Sequence, residues 1–175
     1  FYQNALKDSQ EGVIIKNLES PYKPGARVGH MLKLKPAENE LDLVITGAEF
    51  GKGKRAGYYS TFILSCLNEE TNEFLEIGKS SGLKEKESKG LSYKELTEKL
   101  KTSVVHEKGR EVTIKPRIVV TILYQNIQRS PTYKSGFALR FPRIIRLRPD
   151  KGIKTISTLK EIMHDYNRHE LKIHY

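Results

Sequence analysis

A chain of 175 residues, 37% hydrophobic and 30% charged, is long enough for one domain with a proper core, or for a small domain joined to a piece of another. No apolar run nears the ~20 residues of a membrane helix, and the opening FYQNALKDSQEG lacks the basic and apolar stretches of a secretion signal, so the sequence reads as intracellular with no membrane partner. The formal net charge of +10 favours a polyanionic partner, nucleic acid before others.

In chain order, residues 1–8 read as the last turns of a short helix. EGVIIK, residues 11–16, reads as a short buried strand, and SPYKPG, residues 20–25, as a loop broken by two prolines and a glycine. MLKLK, residues 31–35, alternates, with Lys33 and Lys35 on one face and Leu32 and Leu34 on the other. Residues 36–40 form a polar linker. This first block is too small to bury a core, so it is expected to belong to a larger domain.

From Leu41 onward strands dominate. Residues 41–50, 57–67 and 73–78 are rich in β-branched and aromatic side chains and are separated by turns, the first of them the basic GKGKRAG. After a lysine-rich loop at 79–90, Ser92 and Glu95 form a capping box, with Leu91 placed to staple onto Leu96, for a helix running to about Lys101. Strands over 118–128 and 137–148 follow. Five strands with a helix between the third and fourth give a mainly β chain, in the order of a five-stranded OB-fold barrel. A closing helix over 158–166 carries Leu159, Ile162, Met163 and Tyr166 at three-to-four spacing.

The segment SPTYKSGFALRFPRIIRLRPDK, residues 130–151, is the most telling. It sets Lys134, Arg140, Arg143, Arg146, Arg148 and Lys151 among alternating apolar residues, with Phe137, Leu139 and Phe141 before Pro142 and Ile145 and Leu147 after it. Such a strand has a positive wet face built to hold anions. The single Cys66 lies in an apolar run and reads as a buried small hydrophobe. His106, His164, His169 and His174 show no metal-ligand spacing, and His30 reads as a bystander.

Three of these segments, in this order, resemble the ATP-dependent DNA ligases of the archaeal and eukaryotic type. EGVIIK is similar to nucleotidyltransferase motif IV, LKLKP at 32–36 to motif V, and Arg148, Pro149, Asp150 and Lys151 to the RxDK of motif VI, with SPTYKSGFALRFPR close by. The resemblance covers nearly the whole chain and implies two parts: residues 1–36 as the end of the adenylation domain, and residues 37–175 as an OB-fold domain with a C-terminal helix. It implies ATP and Mg2+ as cofactors, Glu11 assisting the metal, and Lys16, Arg27, Lys33 and Lys35 contacting the nucleotide. Arg148, Asp150 and Lys151 would orient pyrophosphate as it leaves, through fixed charges at the point where negative charge builds up. Lys52, Lys54, Arg55, Arg140 and Arg143 are the candidate contacts to nicked duplex DNA. Further implied partners are the remainder of the adenylation domain and, as a candidate, a sliding clamp. Residues 36–40 are the hinge candidate between two working poses.

The chain departs from the family pattern in carrying Met31 where a tryptophan is usual, and in the lysine-rich loop at 79–90. No KxDG occurs, so the lysine that would carry AMP is absent from this chain, which is expected to be inactive alone. Two rivals stand beside this reading. One is a non-catalytic OB module that stacks single strands on Tyr58, Tyr59 and Phe62; the other is the corresponding part of an RNA capping enzyme, which would share motifs IV to VI but not SPTYKSGFALRFPR.

Overall fold

The architecture is that of a computed structural model describing residues 1–8, 10–21, 24–25, 29–35, 39–83 and 91–171. The chain divides into two compact units, one within residues 1–37 and the other within residues 38–170.

The first unit holds α1 (Tyr2–Lys7) and an antiparallel pair, β1 (Val13–Lys16) and β2 (Met31–Leu34), in which Val13 lies opposite Leu34 and Ile15 opposite Leu32. Period-two alternation therefore gathers Val13, Ile15, Leu32 and Leu34 on one face, and Ile14, Lys16, Met31 and Lys33 on the other. EGVIIK is not the buried strand its apolar run suggests: Ile15 is 53% and Leu32 67% exposed. Two strands form one layer, and nothing in that layer covers its apolar face. Gly12, at φ +133°, passes so close to the Leu34 carbonyl that a Cβ would collide with it, which explains glycine after Glu11.

The second unit opens with a meander of β3 (Asn39–Phe50), β4 (Tyr59–Asn68) and β5 (Glu73–Ser80), followed by the short β6 (Gly82–Leu83). Next come α2 (Tyr93–Lys101), β7 (Val104–Lys108), β8 (Glu111–Ile114), β9 (Val119–Tyr124), β10 (Asn126–Arg129), β11 (Phe137–Arg140), β12 (Arg143–Leu147) and α3 (Leu159–Leu171). The main sheet runs β5-β4-β3-β9-β12-β6, and β12 pairs with β6 in parallel. Since only Ser81 separates β5 from β6, the strand path returns to the segment it left.

This is a mainly β unit with more strands than the five expected. The 118–128 stretch divides into β9 and β10, and the 137–148 stretch into β11 and β12; β10 and β11 leave the main sheet to form their own pair. The second break falls where Phe141 takes φ +53° and Pro142 has no N–H to give a ladder. The β7–β8 hairpin is an addition that pairs through β8 with the far end of β3. Gly47 is flanked by β4 and β8, and a Cβ there would stand 2.8 Å from Ile63 Cδ1 and 3.1 Å from the Val112 carbonyl, so a larger residue would have to displace the Ile63 side chain.

The core gathers Leu43, Ile45, Phe62, Leu64, Ile77, Ile122 and Ile144 from the strands with Leu96, Leu100 and Ile162 from the helices, all at 0% exposure. Each such side chain contributes roughly 1.5–3 kcal/mol by leaving water. The Ser92–Glu95 capping box of α2 is formed, and Leu91 and Leu96 share the core. A second box, Thr158 with Glu161, starts α3, which runs five residues beyond the expected end. Met163 turns outward, at 44% exposure, so the apolar stripe of α3 is narrower than its spacing suggested. Cys66 is fully buried, and burial pushes its thiol up to about 12, which leaves it unreactive at neutral pH.

Candidate functional site

The order β3–β9–β12 brings together three residues far apart in sequence. Asp42 on β3 lies directly opposite Thr121 on β9, and Thr121 is registered against Arg146 on β12. Arg148 continues the ladder, its N–H bonding the Val119 carbonyl at 2.9 Å, and the chain then turns at Pro149, with the Lys151 N–H returning to the Arg148 carbonyl at 3.2 Å. That turn swings Lys151 back beside Arg148.

Both cations end on one atom: Arg148 Nη1 lies 2.8 Å and Lys151 Nζ 2.6 Å from Asp42 Oδ2. Thr121 Oγ1 donates to Oδ1 at 2.6 Å. On its other edge Arg148 is gripped by Asp150, with Nε and Nη2 at 2.9 and 2.7 Å. Asp42 is nearly buried, at 12% side-chain exposure, whereas Asp150 is 62% exposed. Burial alone would raise the Asp42 carboxyl, but hydrogen bonds from Lys151 and Thr121 and the charges of Lys151 and Arg148 outweigh it and hold the group below its ordinary range. The Arg148 hydrogen bond holds Asp150 at about 2.

Arg148, Pro149 and Lys151 form one wall of a surface cleft of about 530 Å³. Lys99, Thr102 and Ser103, at the end of α2, with Arg117 and the apolar Ile118, Val119 and Leu147 complete a lining that, among the described residues, holds four cations and no carboxylate. Four cations and two hydroxyl-bearing residues in one lining suit a phosphate-bearing anion.

A second basic region lies at the opposite end of β12. Lys52, Lys54 and Arg55 occupy the exposed turn between β3 and β4, where the Arg55 guanidinium lies 4.2 Å over the Tyr93 ring. Tyr93 in turn donates its hydroxyl to the Ser81 carbonyl at 2.6 Å, next to Gly82, which pairs with Arg143. Arg140 lies 5.3 Å over the ring of Phe141, which is 63% exposed. The alternating apolar pattern had placed Phe141 with the strand residues Phe137 and Leu139; its left-handed backbone instead aims the ring at solvent beside the Arg140 guanidinium. Of the stacking residues of the rival OB reading, Tyr59 and Phe62 are core residues at 2% and 0% exposure and offer no face to a base, whereas Tyr58 is partly exposed.

In the first unit Lys16 and Lys33 share the mixed face of the β1–β2 pair, and Lys35 forms a 3.3 Å ion pair with Glu11. Arg27 and part of the 36–40 hinge candidate lie outside the described residues, as does most of the 79–90 loop. Among the described residues no three carboxylate, histidine or cysteine side chains gather as a metal site. Glu11 is there a single exposed carboxylate paired with Lys35; a magnesium ion held at it would take its remaining oxygens from phosphates and water.

Sequence reasoning missed Asp42, Thr121, Lys99 and Arg117. The signal for Asp42 was present: an acid within the apolar LDLVI of a core strand is costly unless a cation meets it.

Comparison with known proteins matches both parts of the chain to one enzyme family. Residues 1–35 match the family described as ATP dependent DNA ligase domain, and residues 55–151 the family described as ATP dependent DNA ligase C terminal region. The chain is 48% identical over 177 residues to a DNA ligase of Nanoarchaeum equitans, covering 99% of this chain and 31% of that protein. It is 42% identical over 171 residues to one from Thermococcus fumicolans, covering 97% and 30%. The chain thus spans about a third of the length of these curated relatives. Among solved structures, the ligase domain of M. tuberculosis LigD superposes with a TM-score of 0.55 at 24% identity, over 89% of this chain and 50% of that one. The structure described as Pmar-Lig_PreS3 gives 0.60 at 22%, over 84% and 29%.

Proposed function

The chain belongs to the ATP-dependent DNA ligase family, as its C-terminal region, and from that premise we propose that it supplies the phosphate contacts and part of the DNA grip of a nick-sealing enzyme. The observation that carries this reading is the convergence of Arg148 and Lys151 on the wall of a cationic cleft. In the activation step a lysine amine attacks the α-phosphorus of ATP. The new N–P bond forms as the bond to the bridging oxygen breaks, the amine gives up a proton, and pyrophosphate leaves with the displaced electron pair. Arg148 and Lys151, with Arg117 and Lys99 beside them, hold cationic charge for that leaving group before the charge develops. Asp150 holds Arg148 in orientation.

Residues 1–36 are read as the end of the adenylation domain. Lys16, Lys33 and Lys35 serve the nucleotide there, and the apolar face of Val13, Ile15, Leu32 and Leu34 packs against the remainder of that domain. Lys52, Lys54, Arg55, Arg140, Arg143 and Phe141 form the DNA side, a cationic surface with an exposed ring suited to phosphates and to the minor-groove edge of a nick. Nicks of this kind are left by replication, repair and recombination inside the cell.

The reading is tested with labelled ATP. This chain alone should take up no AMP. Mixing it with a separate polypeptide that carries KxDG and the preceding adenylation-domain sequence should give label on that polypeptide alone, together with sealing of nicked duplex. A covalent AMP on this chain, or sealing indifferent to its presence, overturns the reading.

A further inference from the structure

We propose that Asp42 is the positioning residue of this phosphate site, a fixed anionic post that holds Arg148 and Lys151 together from behind; the inference rests on the function proposed above. Arg148 and Lys151 are like charges three residues apart, and left to themselves they repel and spread into solvent. One oxygen, Asp42 Oδ2, takes both, at 2.8 and 2.6 Å. The post is itself rigid. Its Oδ1 accepts the Thr121 hydroxyl, its backbone N–H bonds Ser157 Oγ at 3.2 Å, and its carbonyl accepts the Ser157 N–H at 2.8 Å.

Orientation separates a positioning role from that of a competing anion. The cleft is lined by Arg148, Pro149 and Lys151, and Asp42 is not part of the lining. The carboxylate therefore grips the cations on the sheet side and leaves their cleft side to a ligand. Donors remain for that ligand. Arg148 commits three of its five N–H groups to Asp42 and Asp150, and Lys151 commits one of three to Asp42, counting partners among the described residues. Asp150 differs from Asp42 in kind, being exposed and bound to Arg148 alone of the two cations.

The experiment uses the complete ligase that contains this region and reads two steps separately: self-adenylation with ATP, and sealing of a nick whose 5′ end already carries AMP. Asp42→Asn keeps size and an acceptor but removes the charge, and should slow adenylation by about tenfold to a hundredfold, as loss of an orienting partner commonly does. Sealing of the adenylated nick should stay within about twofold of the parent. In an Arg148→Ala/Lys151→Ala double background Asp42→Asn should add less than about twofold, because it acts only through those two cations. Thr121→Val, which removes one hydrogen bond from the post and no charge, should slow the same step by a smaller factor and serves if Asp42→Asn fails to fold.

Adenylation faster than the parent in Asp42→Asn would make Asp42 a competing counter-ion and overturn the proposal. Equal losses in both steps, or full additivity with the Arg148→Ala/Lys151→Ala double variant, would reduce it to a fold-holding residue. Arg148→Ala and Lys151→Ala impaired while Asp42→Asn and Thr121→Val are not would overturn this inference alone; adenylation intact in all of them would overturn the underlying function as well.

Discussion

The two ends of β12 carry arginines held in different ways. At the Arg143 end, the neighbouring guanidiniums of Arg55 and Arg140 lie over aromatic rings, and Phe141 stands in solvent. At the Leu147 end, Arg148 and Lys151 are pinned by carboxylates and face a cleft. A ring orients a guanidinium while leaving its charge in place, which suits a long polyanion met at many points. A carboxylate offsets part of the charge but fixes direction, which suits one small anion met in one geometry. The five-residue strand separates the two by ~17 Å, at ~3.3 Å per residue.

The comparison breaks if substitutions at one end act at both. Arg148→Ala or Lys151→Ala in the complete enzyme should slow adenylation the most, by a factor corresponding to roughly 2–4 kcal/mol of lost charge stabilisation. Sealing by enzyme that already carries AMP should suffer far less. Equal damage to both steps would merge the two ends into one site. At the other end Phe141→Ala should weaken binding of nicked duplex by up to about 1.5–3 kcal/mol, the scale of burying one large apolar side chain against the groove. Adenylation without DNA should be untouched. Replacing Lys52, Lys54 and Arg55 by alanine should flatten the dependence of log affinity on log salt by up to about 0.9 for each phosphate that is no longer neutralised. A slope unchanged in gel-shift titrations would remove that turn from the DNA side.

The smallest effect is on pH stability. Asp42 is held below its ordinary value in the folded chain and returns to about 3.9 on unfolding. Its contribution to stability is therefore complete above that value and is lost as the pH falls through the lower, folded one. Urea melts of the parent should fall more steeply than those of Asp42→Asn below about pH 4. Parallel curves would mean that the carboxylate is not engaged as described.

What was legible in the sequence was local. The meander follows from three segments rich in β-branched and aromatic residues between turns, and α2 from the Ser92–Glu95 box and the Leu91–Leu96 staple. Arg148, Asp150 and Lys151 were legible as a motif, and the structure does bring them into one cluster. Asp42 was legible only as an acid that needed a cation; which cation met it was not, because Arg148 lies 106 residues away and reaches it only through a strand order that no local pattern encodes. Likewise the apolar run of EGVIIK reports what the strand can bury against, whereas its exposure depends on which layers surround it. Pro142 was visible as a break in the ladder, but the left-handed turn of Phe141 before it was not, since bulky side chains rarely adopt that backbone.

That backbone carries an evolutionary consequence. Holding a phenylalanine at φ +53° costs the fold roughly 1–2 kcal/mol that glycine would not incur, while the ring, at 63% exposure, recovers little by burial. Selection for thermal robustness alone would replace Phe141 with glycine or asparagine; only selection on what the ring touches would retain it.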